Sequence, residues 1–95
     1  MASTPEELSI GYSEGGEEIV KELDKVILTR GAWTTILFRY QEQDRAKGGM
    51  GPDKYSIRRY QKRGGEYLPK SKFNISSKDQ AKAIIEALNR WTGED

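Results

Sequence analysis

The chain has 95 residues, 35% of them hydrophobic and 33% charged, with neither histidine nor cysteine. That length holds one core and no second domain, and the missing residue types remove thiol nucleophiles, disulfides, imidazole bases and the commonest zinc and copper ligands. The formal net charge of +1 conceals a segregation: residues 1–24 carry seven acids against one lysine, residues 25–75 twelve Lys and Arg against four acids, and residues 76–95 three basic residues against four acids.

An acidic leader ahead of a basic middle suits a polyanion-binding surface, and equally an ordinary solvated tail before a mixed sheet surface. A polar chain of this size is marginally stable as a monomer, so burial of further apolar surface in a dimer would help it. No run approaches 18 apolar residues, and the opening Met-Ala-Ser-Thr-Pro-Glu-Glu lacks the basic and apolar regions of a secretory signal. The expectation is a protein without a membrane segment, in the cytoplasm.

Residues 1–18 lack sustained periodicity and contain Gly11, Gly15 and Gly16, so they are expected to form an acidic flexible leader before one domain over 19–95. A short strand over 19–23 fits the pattern. The run from Lys25 to Arg30 is rich in β-branched residues and stops at Gly31-Ala32, a strand and a turn. From Trp33 to Gln43, Ile36, Phe38 and Tyr40 fall on one face and Thr35, Arg39 and Gln41 on the other, with Leu37 out of step. Trp33, Phe38 and Phe73 are read as core. Three glycines and Pro52 over residues 48–53 then predict a mobile loop.

Lys54 to Lys62 alternates again, with Tyr55 and Ile57 on one face and Ser56, Arg58, Tyr60 and Lys62 on the other. Gly64-Gly65 signals a hairpin. The returning strand, Glu66 to Ile75, contains Pro69 and therefore needs an edge position or a bulge. Ser77-Lys78-Asp79-Gln80 has capping-box spacing, and Ala81, Ile84, Ile85, Leu88 and Trp91 follow at helical spacing, which predicts a helix over 77–92. The fold class expected is α+β, four antiparallel strands followed by one C-terminal helix, with one sheet face covered and the other exposed.

Basic and aromatic side chains interleave on the paired strands at Arg39, Lys54, Arg58, Tyr60, Lys62, Arg63, Lys70 and Lys72. Such a surface suits single-stranded DNA or RNA, since cations neutralise phosphates while aromatic faces stack on unpaired bases. The same residues also suit a solvated sheet face with Tyr55, Tyr60 and Tyr67 packing at core edges. Catalytic chemistry finds little support. The pairs Glu6-Glu7 and Glu17-Glu18 lie where no scaffold fixes their separation, the Gly48–Gly51 run matches no phosphate-loop spacing, and Ser76 and Ser77 read as helix caps. No cofactor or metal is expected.

The runs Tyr55-Ser-Ile-Arg-Arg-Tyr60, Gly65-Glu-Tyr-Leu-Pro69 and Lys72-Phe-Asn-Ile-Ser resemble the single-stranded-DNA-binding transcriptional coactivators known as positive cofactor four, over roughly residues 54–92. The resemblance implies a curved four-stranded sheet, a homodimer joined through its helices, and single-stranded DNA across the sheet faces in the service of transcription regulation. By position it assigns Arg58 and Lys72 to the nucleic acid and matches Tyr60 to the motif's tyrosine. Two positions depart from the family pattern: Gln61 stands where it has a base-stacking aromatic, and Phe73 where it has a glycine. The other reading is a dimeric protein-interaction module that keeps this fold without nucleic-acid binding. In either case Ile84, Leu88 and Trp91 are expected to form the dimer interface.

Overall fold

The computed structural model describes residues 3–93. A 3-10 turn at Pro5–Glu7 precedes strands β1 (Tyr12–Glu14), β2 (Glu17–Thr29), β3 (Trp33–Glu42), β4 (Lys54–Arg63) and β5 (Glu66–Ile75), and helix α1 (Lys78–Thr92) closes the chain. The strands form one antiparallel sheet in sequence order, curled into a half-barrel. Five strands stand where four were expected. The difference is β1, a three-residue strand too short to show alternation, joined to β2 by Gly15 and Gly16 at φ 58° and 81°. The Gly64-Gly65 turn between β4 and β5 has nearly the same geometry, φ 58° and 84°. Positive φ at both central residues is the backbone that lets a two-residue turn follow the twist of its strands, and glycine adopts it without a Cβ clash.

The two segments read separately at 19–23 and 25–30 form one strand, β2, whose pairing with β3 slips near Leu23 and Leu28. The β3–β4 connection is held by its own backbone: Asp44 N–H donates to Gly49 O at 2.8 Å, Gly48 N–H to Asp44 O at 2.7 Å and Gly51 N–H to Glu42 O at 2.8 Å. On β5, Pro69 occupies an edge strand beside a slip in the β4–β5 register, so its missing N–H costs no ladder bond.

The core lies on the inner face of the curl. Thr34, Ile36 and Phe38 are fully buried, Tyr40 nearly so, and across the ladder Ser56 and Tyr60 join them. Pairing also decides which face of β4 turns inward. Register sets Ser56 opposite Phe38 and Tyr60 opposite Thr34, so these residues turn inward, while Tyr55 and Ile57 belong to the outer face. The buried hydroxyls are satisfied: Ser56 Oγ donates to Asn74 Oδ1 at 2.7 Å, and Thr34 Oγ1 to Gly31 O at 3.2 Å. Trp33 and Phe73, read as core, are exposed, because register puts both on the outer face.

Part of the stretch expected as a leader lies over this core. Leu8, 7% exposed, joins Ile36, Phe38, Tyr40 and Tyr60, and Ile10 packs beside them. Lys25, on the inner face opposite Phe38, donates from Nζ to the carbonyl oxygens of Pro5, Glu6 and Leu8, and Arg30 pairs with Glu6. The Arg30 guanidinium holds the Glu6 carboxyl below its ordinary pKa.

Helix α1 begins where its capping signal predicts. Ser77 Oγ accepts from Gln80 N–H at 3.0 Å, and Gln80 Oε1 reaches back to Ser76 N–H at 2.6 Å. The return contact falls one residue earlier than in a standard capping box. Asp79 in the first turn and Arg90 in the last complement the helix dipole. No residue of α1 is buried, and Ile85, Leu88 and Trp91 are 58%, 51% and 76% exposed. No helix among the described residues is long and apolar enough to cross a membrane.

Candidate nucleic-acid interface

The eight positions read from the sequence separate into three groups. Arg39 and Lys54 sit toward the β3–β4 connection and are engaged by carboxylates: Arg39 NH1 lies 3.5 Å from Asp53 Oδ2, and Lys54 Nζ 2.7 Å from Glu42 Oε1. The Glu42 contact holds the Lys54 ammonium above its ordinary pKa. A cation already matched by a fixed carboxylate releases fewer counterions when it meets a phosphate, so these two are the weaker phosphate ligands of the set.

Tyr60 forms the second group alone. At 6% exposure it packs in the core with Leu8, and burial pushes its phenol above the ordinary value, with Arg58 opposing and Glu22 adding to the shift. So buried, this ring offers no face to a base.

The third group is Arg58, Lys62, Arg63, Lys70 and Lys72, all on the β4–β5 hairpin. None of them lies within ion-pair distance of a carboxylate among the described residues, and the hairpin carries a single acid, Glu66. Arg58 and Lys72 are direct register partners on the inner face. Arg58 is held there by a short polar chain, its Nε donating to Ser56 Oγ at 3.0 Å while Ser56 in turn donates to Asn74. The Arg58 side chain is therefore positioned from two strands.

Next to this pair, Pro69 and the register slip open the β5 edge into a shallow groove of about 290 Å³, lined by Arg58, Arg59, Pro69, Lys70, Ser71 and Lys72. Four cations from both faces of the sheet thus meet at one open edge. Arg59 was not among the sequence-stated candidates, since alternation sends it to the opposite face from Arg58; only the bulged edge brings the two together. Trp33 was also assigned elsewhere. Its ring carries the Arg59 guanidinium 4.5 Å from the centroid, and Lys62 lies 5.7 Å from the Tyr67 centroid.

The described residues contain no cluster of three or more acidic side chains arranged to hold a metal ion. Comparison with protein-family models, with curated proteins and with solved structures finds no match.

Proposed function

We propose that this protein is a homodimeric, non-catalytic binder of single-stranded nucleic acid, DNA or RNA, acting in the cytoplasm as a transcriptional regulator of the kind its β4–β5 motifs resemble. The observation that carries the reading is the hairpin itself: Arg58, Arg59, Lys62, Arg63, Lys70 and Lys72, none within ion-pair distance of a carboxylate among the described residues, gather on two strands of which β5 is a sheet edge. Unmatched cations held on a rigid ladder repel one another, and a polyanion relieves that cost while it releases counterions. Single strands suit the site because its cations lie beside the exposed Trp33 ring, and unpaired bases on a flexible backbone can meet both.

The dimer is supported by what the fold leaves uncovered. A compact monomer of 10.8 kDa exposes about 5,500 Å², whereas this chain exposes 6690 Å². The surplus, on the order of 1,000 Å², is close to one partner's share of a standard protein interface, about 800 Å². Part of the exposed apolar surface lies on α1, with Ile84 half-buried and Ile85, Leu88 and Trp91 exposed. A 15-residue helix with no fully buried residue is only marginally stable in water, so a second copy over this face stabilises both the helix and the assembly.

The test compares two pairs of neutralised cations by the anisotropy of a labelled oligothymidylate. Arg58→Ala with Lys72→Ala should weaken binding by roughly tenfold or more, whereas Arg39→Ala with Lys54→Ala, already engaged by Asp53 and Glu42, should weaken it less. Equal effects of the two pairs would remove the hairpin as the site. A folded dimer that binds no oligonucleotide would favour the interaction-module reading.

A further inference from the structure

Trp33 opens β3 on the outer face, in register with Gln61, which itself pairs with Leu68. It is 41% exposed, an unfavourable setting for the largest apolar side chain unless something covers it. The outer face also bears an apolar stripe, Val26, Leu37, Ile57 and Phe73, linked strand to strand by register. Trp33 does not belong to that stripe. Between them runs a polar row in which Thr35 pairs with both Thr29 and Arg59, and Arg59 with Ser71. Trp33 lies instead beside the cationic hairpin, at the end of β3 where β4 approaches Lys62 and Arg63.

Its link to the cationic groove is direct. The guanidinium over the Trp33 ring belongs to Arg59, and Arg59 lines the groove with Arg58, Lys70 and Lys72. A stacked guanidinium fixes the indole orientation and brings positive charge beside an exposed π-surface, the combination that single-strand-binding surfaces use to hold a base and its phosphate together. Tyr60, the other aromatic of the hairpin region considered for stacking, is buried in the core cluster.

We propose that Trp33 is the base-stacking side chain of this interface, taking an unpaired base, with Arg59 as its positioning residue and the groove cations holding the adjoining phosphates. The inference rests on the single-strand-binding reading above.

The sequence has two tryptophans, so Trp91→Phe leaves Trp33 as the only indole emitter. Titration of that variant with labelled oligothymidylate should quench Trp33 emission with the same midpoint as the rise in anisotropy. Trp33→Ala should weaken binding by about tenfold or more, while Trp33→Phe retains most of the affinity. Anisotropy binding with unchanged emission, together with unchanged affinity in Trp33→Ala, would overturn the role of Trp33 and leave the single-strand-binding reading standing. Absence of binding by either signal at low salt would overturn both.

Discussion

Replacing Leu8 by alanine measures whether the acidic N-terminal stretch is part of the fold. Leu8 is 7% exposed and packs on Ile36, Phe38, Tyr40 and Tyr60. Leucine-to-alanine changes in cores cost about 2–5 kcal/mol, the larger values where the cavity cannot collapse. Leu8 comes from a segment outside the sheet, between the 3-10 turn and β1, where the backbone is freer to relax into the space, so the lower part of that range applies, about 2–3 kcal/mol. For 95 residues an unfolding entropy of about 0.2 kcal/mol/K converts this into a fall in Tm of roughly 10–15 °C. Urea and thermal unfolding followed by far-ultraviolet circular dichroism provide the measurement, at one protein concentration because a dimer's Tm depends on it. Leu68→Ala, at an exposed outer-face position, serves as the control and should cost less than about 1 kcal/mol. If Leu8→Ala lay within about 0.5 kcal/mol of the parent protein, Leu8 would not be a core residue and the inner face would be open.

Three further outcomes follow from the same geometry. Burial raises the Tyr60 phenol above its ordinary value of 10.0, so above that pH the unfolded chain loses this proton before the folded one does. Stability from this source is intact below pH 10 and falls as pH rises further; Tyr60→Phe should flatten the alkaline limb of unfolding, and an unchanged limb would place the sensitivity elsewhere. Leu88→Glu, on the uncovered face of α1, should give monomers by sedimentation while circular dichroism retains the sheet, and a persistent dimer would move the interface away from the helix. Gly16→Ala introduces a Cβ at φ 81°, with an expected cost of about 1–2 kcal/mol in urea unfolding; no cost would mean that the β1–β2 turn does not form as described.

The elements legible in the sequence were those whose signals are local. Ser77 and the 3.6-residue apolar spacing identified α1, alternation at Ile36, Phe38 and Tyr40 gave the buried face of β3, and Pro69 located the irregular edge. Gly15-Gly16 carried the same turn chemistry as Gly64-Gly65, but it was followed by the acidic run Glu17-Glu18 rather than an alternating strand, so β1 was missed. The facing of β4 was illegible for a different reason. Hydrophobicity alone favours Tyr55 and Ile57 as the inward pair, whereas the register with β3 turns Ser56 and Tyr60 inward and settles Ser56 through Asn74. Register is set by pairing partners that no single segment reveals.

The candidate site was legible to a similar degree. The cations of the hairpin could be read from the chain, but not the carboxylates that engage Arg39 and Lys54, because Asp53 and Glu42 become their neighbours only when β3 and β4 pair. Arg59 and Trp33 escaped notice because alternation counts residues by face, and the functional grouping forms around an edge.

Whether this protein binds single strands is decided by the anisotropy of a labelled oligothymidylate of about 20 nucleotides, titrated with the intact protein at several salt concentrations beside a duplex of equal length. Six hairpin cations without ion-pair partners among the described residues, if all engaged, predict tighter binding to the single strand and a slope of log affinity against log salt of roughly −4 for each site. Absence of binding at low salt, or affinity that does not change with salt, would contradict the claim.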